Sequence, residues 1–227
     1  MSDAFTKVLA IDTAMGGCSA CVYLTASEEA FARSEDMPRG QAQELVPMIN
    51  DVMAQAGISF DDLGAIVTTV GPGAFTGLRI GMSTARAMAQ ATGAPLFGVS
   101  TLQVLARQYV LTHEPEQNFA VLVETRREDF YVQEFDVTGA AVSEARAALA
   151  ADIMAQVSAR VFVGDAALRF KELAPEAEII EGFNLPDPEN IAQILIEQPA
   201  MVHENPEPIY LRGAEVSKSK KEYRTIA

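Results

Sequence analysis

Apolar positions recur along this chain in two periods, and the switches between them lay out the elements. Val8-Leu9-Ala10-Ile11-Asp12 is an apolar run ending in a carboxylate, and residues 18–24 are a second such run; both read as strands, with a turn over 13–17 between them. Residues 30–34 predict a third strand. Over 41–56 the period lengthens: Leu45, Met48, Ile49, Val52, Met53 and Ala56 share one helical face, and Gln43, Asn50, Asp51 and Gln55 lie elsewhere. Pro47 predicts either a helix start near Val46 or a kink, and Gly57 ends the helix. A β-branched run over 65–70 reads as a buried strand, broken by Gly71-Pro72-Gly73. A second helix over 76–92 stops at Gly93 and Pro95. Residues 95–100 predict another strand, and a helix starts over 101–109. Further on, strands at 119–123 and 130–135 are joined by Glu124-Thr125-Arg126-Arg127-Glu128-Asp129. Strands at 161–165 and 178–180 follow, then a helix over 188–198 with Ile191, Ile194 and Leu195 as its core face. The pattern predicts an α/β chain with mixed sheets flanked by helices, divided into a lobe over 1–103 and a smaller one over 104–227.

Helix 76–92 carries more information than its length. At 100° per residue, Arg79, Ser83, Arg86 and Gln90 form one narrow polar stripe, and nearly everything else is apolar or small. One sheet covers only one face of a helix. The remainder is either sandwiched within its own domain or covered by a partner. The partner reading takes Leu78, Met82, Ala85 and Ala89 as the contact row, joined by part of Leu45, Met48, Ile49 and Val52 from the first helix. The turn Gly71-Pro72-Gly73 also has two readings. Free N–H groups at a helix start can hold an anion; alternatively the glycines serve a left-handed backbone and the proline a fixed φ. The latter reading expects a positive φ at Gly73.

The chain has 227 residues, enough for a sizeable core, and a net charge of −14, which disfavours non-specific binding to nucleic acid. The only cysteines, Cys18 and Cys21, spell C-x-x-C without a second pair, and on a strand residues three apart face opposite sides. Both read as packing residues. His113 and His203 are far apart and form no paired metal motif, so no metal site is expected; no Gly-x-Ser-x-Gly elbow is present either. No signal core or membrane-length apolar run appears, which makes the cytoplasm the expected location and a membrane association unexpected. Lys218, Lys220, Lys221 and Arg224 make the C-terminal tail basic. The early meander followed by βα units resembles the ribonuclease-H-like fold of actin, sugar kinases and Hsp70. There an aspartate ending the first strand helps hold a metal–nucleotide phosphate. This makes Asp12, Thr13 and Gly16 candidate nucleotide contacts, with a solvated turn aspartate as the other reading. The best candidate for a second phosphate loop, Gly164-Asp165-Ala166-Ala167, has one glycine.

Leu9-Ala10-Ile11-Asp12-Thr13-Ala14, the run from Gly71 through Pro72, Gly73, Phe75, Thr76, Gly77 and Arg79 to Gly81, Gly98-Val99-Ser100-Thr101-Leu102 and Pro208-Ile209-Tyr210-Leu211-Arg212 together resemble the bacterial family of tRNA threonylcarbamoyladenosine biosynthesis proteins TsaB, also called YeaZ. The resemblance spans nearly the whole chain. Members often have Asp-Ala-Arg where this chain has Glu124-Thr125-Arg126, and a histidine where it has Gln41. The resemblance implies a two-lobed actin-like fold and a non-catalytic subunit with no catalytic residue of its own. Its implied partners are the catalytic subunit TsaD and the ATPase TsaE. It implies a homodimer on the same helical surface when TsaD is absent, and contact with tRNA only through the complex. No cofactor is expected on the chain alone, and ATP or ADP is expected only at the interface with TsaD. The alternative from another class is a free-standing ATP-dependent phosphotransferase with Asp12 at its metal.

Overall fold

The computed structural model describes residues 5–211, so the basic tail positions and Arg212 lie outside the described residues. β1 (Lys7–Asp12), β2 (Gly17–Leu24) and β3 (Glu29–Asp36) form an antiparallel meander. α1 (Gln41–Gln55) follows, and β4 (Ala65–Thr69) then adds parallel to β1, placing Val8 opposite Ala65 and Ile11 opposite Thr68. α2 (Phe75–Thr92) crosses back, and β5 (Leu96–Val99) joins parallel to β4. α1 runs straight through Pro47. That proline is exposed in the second turn, and Gln43, whose carbonyl it leaves without an intrahelical donor, is exposed as well, so water can satisfy the lost bond. Left-handed glycines bracket these helices: Gly40 precedes α1 at φ 105°, and Gly93 ends α2 at φ 76°.

α3 (Thr101–His113) leads to the second sheet. β6 (Phe119–Glu124) and β7 (Phe130–Phe135) form an antiparallel pair, and β8 (Arg146–Ala148) extends it beyond β7. After α4 (Ala150–Gln156), β9 (Val161–Val163) pairs parallel with β6; after α5 (Ala167–Leu173), β10 (Glu178–Ile180) pairs with β9. The chain then returns. α6 (Pro188–Glu197) packs on the first sheet, and β11 (Val202–Glu204) pairs antiparallel with β5 at its edge. The first sheet thus has the order β11-β5-β4-β1-β2-β3, and the second β10-β9-β6-β7-β8.

This return corrects the division at residue 103, because residues 188–204 belong with the first sheet. It also accounts for the unbroken apolar runs of β1 and β2. Leu9, Ile11, Cys18, Ala20 and Val22 face the core under α1 and α2, whereas Val8, Ala10 and Cys21 face α6 with Ile191, Ala192, Ile194 and Leu195. A strand buried on both faces needs no polar alternation. Each such Leu or Ile contributes about 1.5–3 kcal/mol by leaving water. Cys18 and Cys21 are free, buried on opposite faces, and burial pushes both thiols up to about 12. The second sheet is also covered twice. Phe119 and Phe135 meet Tyr109 of α3 on one face, and Phe130 and Phe162 surround Phe170 of α5 on the other.

Candidate functional site

The turn after β1 is closed by the start of α2. Asp12 Oδ1 accepts the Ala14 backbone N–H at 3.0 Å and the Thr69 hydroxyl from the end of β4. Thr13 Oγ1 donates to the Gly77 carbonyl at 2.7 Å, and the Ala74 N–H donates to the Ala14 carbonyl at 2.6 Å. A Cβ on Gly73 would lie 2.2 Å from the Ala14 oxygen, one on Gly77 2.0 Å from the Thr13 oxygen, and one on Gly81 2.6 Å from Thr13 Oγ1. Glycine is therefore required at Gly73 and Gly77 for backbone approach, and at Gly81 a side chain would press on the Thr13 hydroxyl. The positive φ lies instead at Gly71, at 102°, so the conformational reason expected at Gly73 is replaced by a steric one. The Gly71-Pro72 bond is cis, and the Gly71 carbonyl accepts the Thr101 N–H at 2.9 Å. This is the structural reading of Gly71, Pro72 and Gly73.

Asp12 and Thr13 are about 1% exposed, and their side chains are held within the chain; Gly16, whose missing Cβ would meet nothing, reaches the surface. Burial pushes the Asp12 carboxyl up to about 6, against the hydrogen bonds from Thr69 and the Ala14 and Thr13 backbone. Among the described residues, no three of His, Cys, Asp or Glu converge as a metal-holding group.

The expected partner row is corrected by burial. Leu78, Met82 and Ala85 of α2, and Leu45, Met48, Ile49 and Val52 of α1, are at most 2% exposed in the chain's own core. Only Ala89 of the named set is part-exposed. The apolar excess of α2 serves contact with the β1 turn and the sheet. Exposed on α2 are Phe75, Arg79, Ser83, Arg86, Ala87 and Gln90, and exposed on α1 are Val46 and Pro47.

Between the lobes lies a cleft of about 1270 Å³ that no sequence pattern announced. Arg39 from the approach to α1, Arg79 from the first turns of α2, and Arg126 and Arg127 from the β6–β7 turn line it, with Glu124 as the only carboxylate among the described residues of the lining. Glu124 is itself paired with Arg169 at 2.7 Å, and the Arg169 guanidinium lies 3.8 Å above the Phe130 ring. Asp165, from the candidate second loop, accepts the Glu124 N–H at 2.9 Å; burial pushes its carboxyl up to about 7 against that hydrogen bond, and the Glu124 charge adds to the rise. Gly164 has φ 112°, and its missing Cβ would meet the Leu122 oxygen at 2.0 Å, so this glycine also serves close packing. Arginines at three separated places in the chain leave no local signal in a sequence; only the fold brings them together.

The strand order, with β2 antiparallel beside β1 and with β4 and β5 parallel, and an aspartate ending β1 against a glycine turn, define a two-lobed α/β protein of the actin-like class. The family model described as TsaD, tRNA N6-adenosine threonylcarbamoyltransferase, matches residues 35–196. The chain therefore belongs to the TsaD family, and within it is similar to the TsaB (YeaZ) proteins. It is 38% identical over 101 residues to the tRNA threonylcarbamoyladenosine biosynthesis protein TsaB of Escherichia coli K12, covering 44% of this chain and 43% of that protein. Identity to TsaB of Buchnera aphidicola is 36% over 101 residues, or 44% and 47% of the two chains. The matched stretches thus span less than half of these relatives. A Pseudomonas aeruginosa crystal structure, described as similar to peptidase YeaZ, superposes with a TM-score of 0.78 at 24% identity, covering 91% of this chain and all of that one, and so shares the fold. Among the described residues no helix is long and apolar enough to cross a membrane.

Proposed function

We propose that this chain is a non-catalytic subunit in the biosynthesis of tRNA N6-threonylcarbamoyladenosine, binding and supporting a TsaD-type catalytic subunit together with a TsaE-type ATPase in the cytoplasm. The observation that carries the reading is the sealed β1 turn. The Ala74 N–H at the start of α2, which in a phosphate cradle would face the ligand, donates to the Ala14 carbonyl, and Gly73 and Gly77 bring backbone against backbone where a phosphate would need room. A chain of this family with its first loop filled from within suits a scaffold better than a phosphotransferase. Nucleotide, on this reading, belongs at the interface with the TsaD-type partner. The partner surface is the outward side of α1 and α2, around Val46 and Ala87, both exposed; a second copy of the chain takes the same surface when the partner is missing.

The test is co-purification with TsaD, together with light scattering of the chain alone. Val46→Glu with Ala87→Glu should leave a folded monomer, abolish capture of TsaD, and remove the tRNA modification from cells that depend on this chain. Unchanged capture by the folded double variant would overturn the assignment of the surface. Tight ATP–Mg binding with turnover by the chain alone would overturn the non-catalytic role.

A further inference from the structure

The cleft between the lobes does not match the rest of the molecule in charge. The chain carries 31 acidic against 17 basic residues, yet among the described residues Arg39, Arg79 and Arg126 line this space with one carboxylate, Glu124, which is itself paired with Arg169. The three arginines enter from three walls: Arg39 ahead of α1, Arg79 on α2, and Arg126 on the β6–β7 turn. Arg39, Arg79 and Arg126 are all exposed. At the mouth, Phe75 and Tyr210 are 54% and 47% exposed with ring centroids 5.5 Å apart, and the Arg79 guanidinium lies 3.7 Å from the Phe75 centroid. Tyr131 adds a third ring to the lining. Large exposed aromatics beside guanidinium groups are the pairing that holds flexible nucleic-acid strands, with bases stacking on rings and phosphates meeting cations.

We propose that this cleft binds the backbone of an unpaired RNA loop, with Arg39, Arg79 and Arg126 at phosphates and Phe75 and Tyr210 under bases. The choice of RNA over other polyanions rests on the proposed role in tRNA modification. Size and chemistry favour a strand over a free nucleotide. A cleft of about 1270 Å³ exceeds the ~300–1,000 Å³ of sites for single small ligands. At its floor the Ala74 N–H is already given to the Ala14 carbonyl, which takes one donor of the α2 start away from a polyphosphate.

The test is fluorescence anisotropy with a labelled tRNA anticodon stem-loop, using the full chain alone and with TsaD, across a salt series. Three phosphate contacts predict that log K falls against log salt with a slope of about −2, easing by about 0.7 for each arginine lost. Arg39→Glu with Arg126→Glu should weaken binding at least tenfold, and Tyr210→Ala at least about fivefold. Unlabelled ATP should fail to displace the stem-loop. Equal binding by the wild-type and the double arginine variant overturns the proposal, as does displacement by ATP, which would assign the cleft to a nucleotide. TsaD capture is read on the same variants: if it persists while RNA binding is unaltered, the cleft proposal fails and the subunit role stands. If wild-type chain captures no TsaD, the subunit role fails, whatever the RNA result.

Discussion

At the end of β1, Asp12 lies beneath the first turn of α2, takes a hydroxyl from Thr69 and an N–H from Ala14, and is shut away from solvent. Just past the end of β9, Asp165 takes the N–H of Glu124, whose carboxylate binds Arg169 on the wall of the cleft. Each lobe thus places an aspartate at a strand end and crowds it with a glycine that has no room for a side chain. The first lobe fills the space beyond its aspartate with its own backbone. The second leaves that space to ionised groups at a surface. The strand-end aspartate alone therefore does not make a ligand site; what stands in front of it does.

The largest effects should come from the glycines that seal each turn. Gly73→Val and Gly164→Val put side chains where oxygens already stand 2.2 and 2.0 Å from a Cβ, and each should destabilise the fold by about 3 kcal/mol or more, seen as a large loss of melting temperature or as insolubility. A wild-type melting temperature for either would mean that its turn is not tightly sealed.

Removing the aspartates should separate the lobes. Asp12→Ala leaves the Thr69 hydroxyl and the Ala14 N–H buried without an acceptor, which costs about 1–3 kcal/mol per group. Asp165→Ala frees one N–H at a part-buried site and should cost less, as denaturant titration of the pair will show.

The same pair predicts a dependence on pH. Both carboxyls have folded pKa values above the ordinary 3.8, so between about 4 and 6 for Asp12, and about 4 and 7 for Asp165, the folded state holds more protons than the unfolded one. Stability contributed by these groups is present in full below the ordinary value and falls as pH rises to the folded value. Asp12→Asn should flatten the lower part of that fall and Asp165→Asn should extend the flattening toward 7, in melting temperature measured against pH. A steeper fall in either variant would reverse the assigned direction.

The smallest effect is expected where ion pair and ring contact meet solvent. Arg169→Ala removes the part-exposed Glu124 pair and the guanidinium that covers the buried Phe130 ring, and should cost about 1 kcal/mol in a denaturant titration. A cost near zero would show that the charged wall of the cleft does not hold the second lobe together.

Much of the frame was legible because long elements repeat their period. β7 and β10 have the predicted bounds, and β1, α1 and α2 differ from them by a residue at one end. β8, α4, α5 and β11 were not read; they span three to seven residues, too few for a period to emerge against their flanks. The amphipathic reading of α1 found its buried face correctly: Leu45, Met48, Ile49 and Val52 are core. The error was to carry part of that face, together with Leu78, Met82 and Ala85 of α2, outward to a partner. Periodicity tells which residues share a face, and only the fold tells what that face meets. Gly77 and Gly81, read only as small, turn out to be the positions at which α2 touches the β1 turn. The arginine cleft was illegible for a similar reason, since Arg39, Arg79 and Arg126 are brought together by three different elements.

The return of α6 to the first sheet bears on the order in which the chain becomes complete. A ribosome releases the N-terminal sheet early, with α1 and α2 ready to cover one face. The other face, carrying Val8, Ala10, Cys21, Ala65 and Val67, waits for Ile191, Ile194 and Leu195. Some 120 residues and a second lobe are made between Val67 and Ile191. Until then the nascent first lobe exposes a bare apolar sheet, a surface of the kind that binds chaperones or aggregates. A fragment ending at residue 103 would carry that exposed face permanently.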